Sequence, residues 1–176
     1  MSINRVFTLS GTDRVGIVEE ITRSLLELGA NIETSKMARL GGEFAVLMLV
    51  TLPAAKAPAL EETVAALIAR GYKVTTTPTG ENSGQAHAGW LPYLVEVQGA
   101  DHEGIVHNIA RALAQKGISI ESMDTGNTRA ANSGTLLFTM KAGILVPPGL
   151  AENLWRGDLE STGREQHVDI SVTAGI

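Results

Sequence analysis

The sequence predicts an α+β protein made of two βαββαβ modules in tandem, each an antiparallel sheet with its helices on one face. Three observations predict it. A segment near the start of the chain recurs 88 residues later. Alternating, strand-like segments and amphipathic, helix-like ones follow one another in the same order in both halves. In the first half, two adjacent glycines, Gly41 and Gly42, lie between two strand-like segments, where a hairpin would turn.

The repeat is the strongest feature. Gly11-Thr-Asp-Arg-Val-Gly-Ile-Val18 returns as Gly99-Ala-Asp-His-Glu-Gly-Ile-Val106, and residues 11–33 share 11 identities with 99–121 over 23 positions. Further on, Gly42, Phe44 and Met48 align with Gly134, Leu136 and Met140 at an offset of 92, so the second copy gains about four residues near Arg129 to Ser133. Residues 78–89 are polar, small and aperiodic, which marks a linker. The expected organisation is module one over 1–78, linker 79–91 and module two over 92–176.

Each element has its own reason. Arg5 to Ser10 sets Phe7 and Leu9 on one face of a short strand, and Tyr93 to Gln98 alternates likewise. The following Gly-x-Asp reads as a turn, its aspartate suited to capping a helix. Val18, Ile21, Leu25 and Leu28 recur at helical spacing, as do Val106, Ile109 and Leu113, with Lys116 ending the second stripe. Gly29 and Gly117 stand where helix-ending glycines belong. Asn31 to Leu40 and Phe44 to Leu52 flank the Gly41-Gly42 turn, and the second of these is apolar enough to be central. Pro58 to Ala69 places Leu60, Val64, Leu67 and Ile68 on one helical face, and Tyr72 to Thr77 is a last, β-prone strand. The second copy closes with Leu150, Leu154 and Trp155 on a helix interrupted by Gly157 and Gly163, then a strand from His167 to Thr173. This β-α-β-β-α-β order is the ferredoxin-like arrangement.

Composition removes several function classes. There is no cysteine, hence no disulfide, thiolate cluster or cysteine nucleophile. The net charge of −5 provides no broad basic field for nucleic acid or anionic lipid. The four histidines, His87, His102, His107 and His167, are not at metal-ligand spacing, so no metal and no cofactor is expected. His87 reads as a solvated linker residue and His167 as a strand-edge one. Met37, Met48, Met123 and Met140 read as packing. No run approaches the roughly 18 apolar residues of a membrane span, and no leader is evident, so a cytoplasmic protein is expected.

The strand, Gly-x-Asp-Arg-x-Gly-Ile-Val, amphipathic helix and Leu-Gly-Ala-Asn-Ile sequence resembles the ACT domain, a small-molecule sensing module, most often for amino acids. The resemblance covers nearly all of 5–78 and 92–174. Two such modules with no enzyme attached resemble the glycine cleavage system transcriptional repressor family. That implies a regulator rather than an enzyme, responding to an amino acid such as glycine and acting through a protein partner such as a transcription factor.

At Gly11 to Gly16 a strand gives way to a helix, and free backbone N–H groups with the positive end of the helix dipole suit a carboxylate. Family resemblance puts ligands near this loop and the start of the second strand, at an interface between modules. The implied residues are Asp13, Arg14, Val15, Gly16, Ile17, Asn31 and Ile32, with Asp101, His102, Glu103, Gly104, Ile105, Ser119 and Ile120 in the second copy. Gly16 and Ile17 would hold a carboxylate through backbone N–H groups, and Asn31 an ammonium. Two plainer readings stay open: the aspartates as helix caps, and Gly16 and Gly104 as glycines allowing helix to pack closely on sheet. Arg14 becomes His102, Val15 becomes Glu103 and Asn31 becomes Ser119, so the two copies are not expected to bind alike.

The RNA-recognition module shares this strand order but carries aromatic residues on its central strands. Phe44-Ala-Val-Leu-Met-Leu-Val50 has one, which argues against direct nucleic-acid binding. No Gly-x-Ser-x-Gly or phosphate-loop motif supports an enzyme. The expected mechanism is a population shift in which paired modules, within the chain or across a homodimer, respond to ligand. The alternative is a structural, partner-binding module without ligand.

Overall fold

The computed structural model describes residues 1–80, 86–129 and 134–175. It divides into two compact units, Met1–Gly84 and Gln85–Ile176. In the first, β1 (Ser2–Thr12), α1 (Ile17–Glu27), β2 (Asn31–Leu40), β3 (Glu43–Pro53), α2 (Ala57–Ala69) and β4 (Lys73–Thr79) follow in order. In the second come β5 (Leu91–Ala100), α3 (Ile105–Gln115), β6 (Ser119–Arg129), β7 (Leu136–Val146), α4 (Glu152–Glu165) and β8 (Val168–Ala174). The sheets are ordered β2-β3-β1-β4 and β6-β7-β5-β8, with every pairing antiparallel. The chain is thus two ferredoxin-like modules. The four residues gained by the second copy lie largely outside the described residues, as does the middle of the linker.

Alternation decides which face of each sheet is buried. On β3, Phe44, Val46, Met48, Val50 and Leu52 point to the helices, while Leu47 on the other face is 48% exposed. The apolar run is central by position but buried on one side only. Phe7 and Leu9 of β1 meet Ile17, Ile21, Leu25, Leu60 and Leu67 in one core. Val95, Val97, Ile105, Ile109, Leu113, Met140, Trp155 and Leu159 form the other. Each such side chain contributes about 1.5–3 kcal/mol by leaving water. The helical stripe keeps its expected phase, with Ile21, Leu25, Leu28, Ile109 and Leu113 buried, but its first members are Ile17 and Ile105 rather than Val18 and Val106, which are exposed. Ile68 and Leu154 also face solvent. The helices begin one residue past a left-handed glycine, and that sets the phase.

The turns follow the glycines. Gly41 and Gly42 both have positive φ and join β2 to β3 with Leu40 opposite Glu43. After α1, Gly29 is left-handed at φ 68°, and the Ala30 N–H donates to the Leu25 carbonyl, a Schellman closure that Gly117 and Ile118 repeat. The glycines of α4 do not break it. Gly157 faces open space, whereas a Cβ at Gly163 would lie 3.0 Å from Ile170 and 3.1 Å from the Val168 carbonyl oxygen. Gly163 lets helix and strand touch. His167 is not in the last strand but in the turn before it, exposed and left-handed at φ 52°.

Candidate functional site

Each module carries a loop between its first strand and first helix. Gly11 and Gly99 belong to the strands rather than to the turn. A Cβ at Gly11 would sit 2.7 Å from the Tyr72 ring, and at Gly99 2.7 Å from Val168 and 3.0 Å from the His167 carbonyl oxygen. These glycines are retained because β4 and β8 enter the sheet across them. Beyond them the Asp13 N–H donates to the Gly42 carbonyl at 2.9 Å, and the Asp101 N–H to that of Leu136 at 3.0 Å. The loop is thereby pinned to the neighbouring strands.

The aspartates do not cap the helices. Gly16 and Gly104 occupy the N-cap positions at φ 89° and 95°, with no side-chain cap. Asp13 pairs with Arg39 at 2.8 Å, and Asp101 accepts a hydrogen bond from Asn127 Nδ2 at 3.0 Å. Both partners come from the far ends of β2 and β6. The shared aspartate braces the loop in both copies, by an ion pair in one and a neutral donor in the other. Nor do Gly16 and Gly104 permit close packing of helix on sheet. Nothing lies within 4 Å of a Cβ at Gly16, and the nearest atom at Gly104 is Asn108 Nδ2, 3.2 Å away on the same helix. Their left-handed backbone is what requires glycine.

Arg14 turns back on its own module. Its Nε donates to the Tyr72 hydroxyl at 3.0 Å, and its guanidinium pairs with Glu20, which also takes Arg70 at 2.5 Å. This charge is committed within the fold. Val15 is fully exposed, and Ile17 and Ile105 have their side chains in the core. The helix start also leaves backbone donors free: among the described residues, the N–H groups of Val18 and Glu19 have no acceptor, and Ile17 N–H has only a long bond of 3.4 Å to Arg14 O. Glu19 and Glu20 in the first turn lie favourably with respect to the helix dipole.

Asn31 and Ile32 are not brought to this loop within one module. They follow the C-terminal end of α1, whose 11 residues span about 16 Å. Asn31 pairs with Thr51, itself opposite Asn4 near the start of β1. Asn31 Nδ2 donates to Glu33 at 2.8 Å, and the Ser119 hydroxyl to Glu121 at 3.3 Å. Both glutamates sit at the irregularity that shifts the register of β2 and β6. Ile32 and Ile120 pack partly on the cores. A shallow groove beside Asn31 and Ile32 is lined also by Thr22, Arg23, Leu26 and Ala30. A second depression, near the loop end, is lined by Ser10, Thr12, Glu43 and Lys73.

The residues holding the loops, Arg39, Asn127, Glu20, Arg70, Tyr72 and Gln166, are absent from the expected set. They differ in type between copies, so the repeat gives no signal for them. His87 is also more than a linker residue: it lies 4.4 Å from the Trp90 ring and 3.5 Å from Glu121. Among the described residues no group of three or more His, Asp or Glu side chains is placed to hold a metal. Among the described residues, no helix is long and apolar enough to cross a membrane.

Two units of one βαββαβ plan, each with a left-handed glycine opening its first helix, define a tandem ferredoxin-like architecture. Residues 6–70, within the first unit, match the ACT domain family model, and the second unit repeats the same order of elements. It is 50% identical over 46 residues to the glycine cleavage system transcriptional repressor of Escherichia coli (strain K12), a match taking in 26% of this chain and 24% of that protein. The chain thus spans about a quarter of the length of the curated relatives it matches. A solved structure of an unknown protein from Galdieria sulphuraria is 30% identical, covers all of both chains and has a TM-score of 0.88. A structure solved as a candidate glycine cleavage system transcriptional repressor shares the fold at 24% identity, a TM-score of 0.71 and coverage of 98% of this chain and 97% of its own.

Proposed function

We propose that the chain is a non-enzymatic regulatory protein that senses a small amino acid, glycine among the candidates, and controls transcription of amino-acid metabolism through a protein partner. The duplicated loop-to-helix junction carries this reading. At Gly16 and Gly104 a left-handed glycine opens each first helix, and among the described residues the N–H groups of Val18 and Glu19, like those of Val106 and His107, have no acceptor. Such a junction suits a carboxylate. The partial similarity to a transcriptional repressor supports the regulatory half of the reading.

The loop side chains set expectations for the two copies. Arg14 is occupied by Tyr72 and Glu20, so the first junction would bind through backbone rather than through this cation. Glu103 places a carboxylate in the second loop, where it would oppose an anionic ligand unless turned away. The first junction carries carboxylates of its own, Glu19 and Glu20 in the first turn of α1, where α3 has none, so charge alone does not rank the two copies. Calorimetric titration of the full chain with glycine, serine and a panel of other amino acids tests the sensing reading. Binding should appear as heat and as a rise in stability of RT ln(1 + [L]/Kd). Absence of both with every amino acid would overturn the sensing reading and leave a partner-binding scaffold.

A further inference from the structure

The loop of the second module is held by an imidazole whose two nitrogens both face acceptors. His102 Nε2 lies 2.6 Å from the Gln166 carbonyl oxygen, and Nδ1 lies 3.0 Å from that of Glu103. A backbone carbonyl cannot donate. A neutral imidazole has one N–H and one lone pair, so it can satisfy only one of these contacts and must set its lone pair against the other oxygen. Only the imidazolium, with two N–H groups, makes both.

We propose that His102 is a proton-operated latch that, when protonated, ties the loop between β5 and α3 to the turn between α4 and β8, and that loosens this tie on losing the proton. The first module fills the same position with Arg14, whose charge is permanent and whose partners, Tyr72 and Glu20, are side chains. One loop is therefore fastened at every ordinary pH and the other only while its imidazole is charged. The surroundings favour the charged form. The carbonyl of Gln166 raises the affinity for a proton most, then that of Glu103; slight desolvation acts against them, and the Asp101 carboxylate adds a smaller push upward. Asp101 is itself held by Asn127 of β6. Glu103 is the adjoining acidic residue, Asn108 of α3 is neutral, and Glu165 and His167 flank Gln166 along the chain.

The latch acts on the loop that carries Gly104, so a proton would change the mobility of the second junction without touching the first. The proposal does not depend on any ligand. Its test is an NMR titration of the isotope-labelled full chain through neutral pH. The His102 ring should titrate with a midpoint above the usual 6.5, and the amide signals of Glu103 and Gly104 should move with that same midpoint. His102→Gln should abolish this movement in the loop amides. His102→Arg, which installs the residue of the first copy, should hold the loop signals constant across the range. A His102 midpoint at or below 6.5 would overturn the latch, and so would loop amides that ignore the ring or that still move in His102→Arg.

Discussion

The two glycines of α4 allow a prediction in which the same substitution has opposite signs six residues apart. Gly157→Ala adds a methyl where nothing lies within 4 Å, in the interior of a helix. The gain is the helix-propensity difference, about 0.5–1 kcal/mol. Gly163→Ala offers the same propensity gain but drives its methyl to 3.0 Å from Ile170 Cγ1 and Cδ1 and 3.1 Å from the Val168 carbonyl oxygen. The isoleucine can shift; the carbonyl belongs to β8 and cannot follow easily. Overpacking of this kind costs about 1–3 kcal/mol, leaving a net loss of up to about 2.5 kcal/mol. In a module of this size each kcal/mol moves Tm by about 4–8 °C. Urea and thermal unfolding of the two single variants, followed through the second unit, measure the difference directly. If both stabilise, or both destabilise, the account of Gly163 as the contact point of helix and strand is wrong.

Other predictions concern the loops and the second core. Gly16→Ala should cost about 1–2 kcal/mol from its left-handed φ of 89° alone, with no steric term, and Gly16→Val at least as much. Unfolding midpoints equal to the parent would contradict that assignment. Gly99→Ala should be the more damaging glycine change, because its methyl meets backbone atoms at 3.0 Å, and loss of soluble folded protein or a Tm fall of many degrees is expected. Trp155 is 2% exposed and its Nε1 has no acceptor, so Trp155→Ala should cost about 3–5 kcal/mol, while Trp155→Phe should cost far less by removing the stranded donor. Denaturant midpoints of the pair separate volume from polarity. For His102 the folded affinity for a proton exceeds the unfolded one, so its contribution is complete below about pH 6.5 and fades as pH climbs through the raised folded value. Unfolding of the second unit followed across this window should show that slope, and His102→Gln should flatten it.

The strand order, hairpin and helix ends were legible because each rests on a local signal. Alternation placed Phe7 and Leu9, and Gly41-Gly42 and Gly29 announced their own backbone conformations. The helix phase was legible as well, through Ile21, Leu25 and Leu28; only the first member differs, Ile17 in place of Val18, because the sequence does not show which residue opens the helix. The continuity of α4 was illegible for a related reason: a glycine that breaks a helix and one that admits a strand look the same in a sequence. At the candidate site, the repeat correctly singled out Asp13 and Asp101 as special but not why. Their partners, Arg39 and Asn127, are brought there by the length of β2 and β6 rather than by any motif. The helix between the loop and Asn31 was legible from its apolar stripe, and α1 with its 11 residues does keep the two apart within one module.

The identities shared by the two copies include the positions where backbone geometry leaves little choice: Gly11 and Gly99 under an incoming strand, Gly16 and Gly104 at a helix start, and Gly29 and Gly117 at its end. The side chains between them have diverged. The framework therefore acts as a socket with a replaceable insert. Residues 14–15 and 102–103 are bounded on both sides by the same conformational anchors, but Arg14 also uses Tyr72 and Glu20, where the second copy has Val168 and Asn108, so transplanting the behaviour of one loop takes those partners with it. Recognition and proton response could in this way evolve separately within one chain, because changing one insert leaves the geometry of its socket intact.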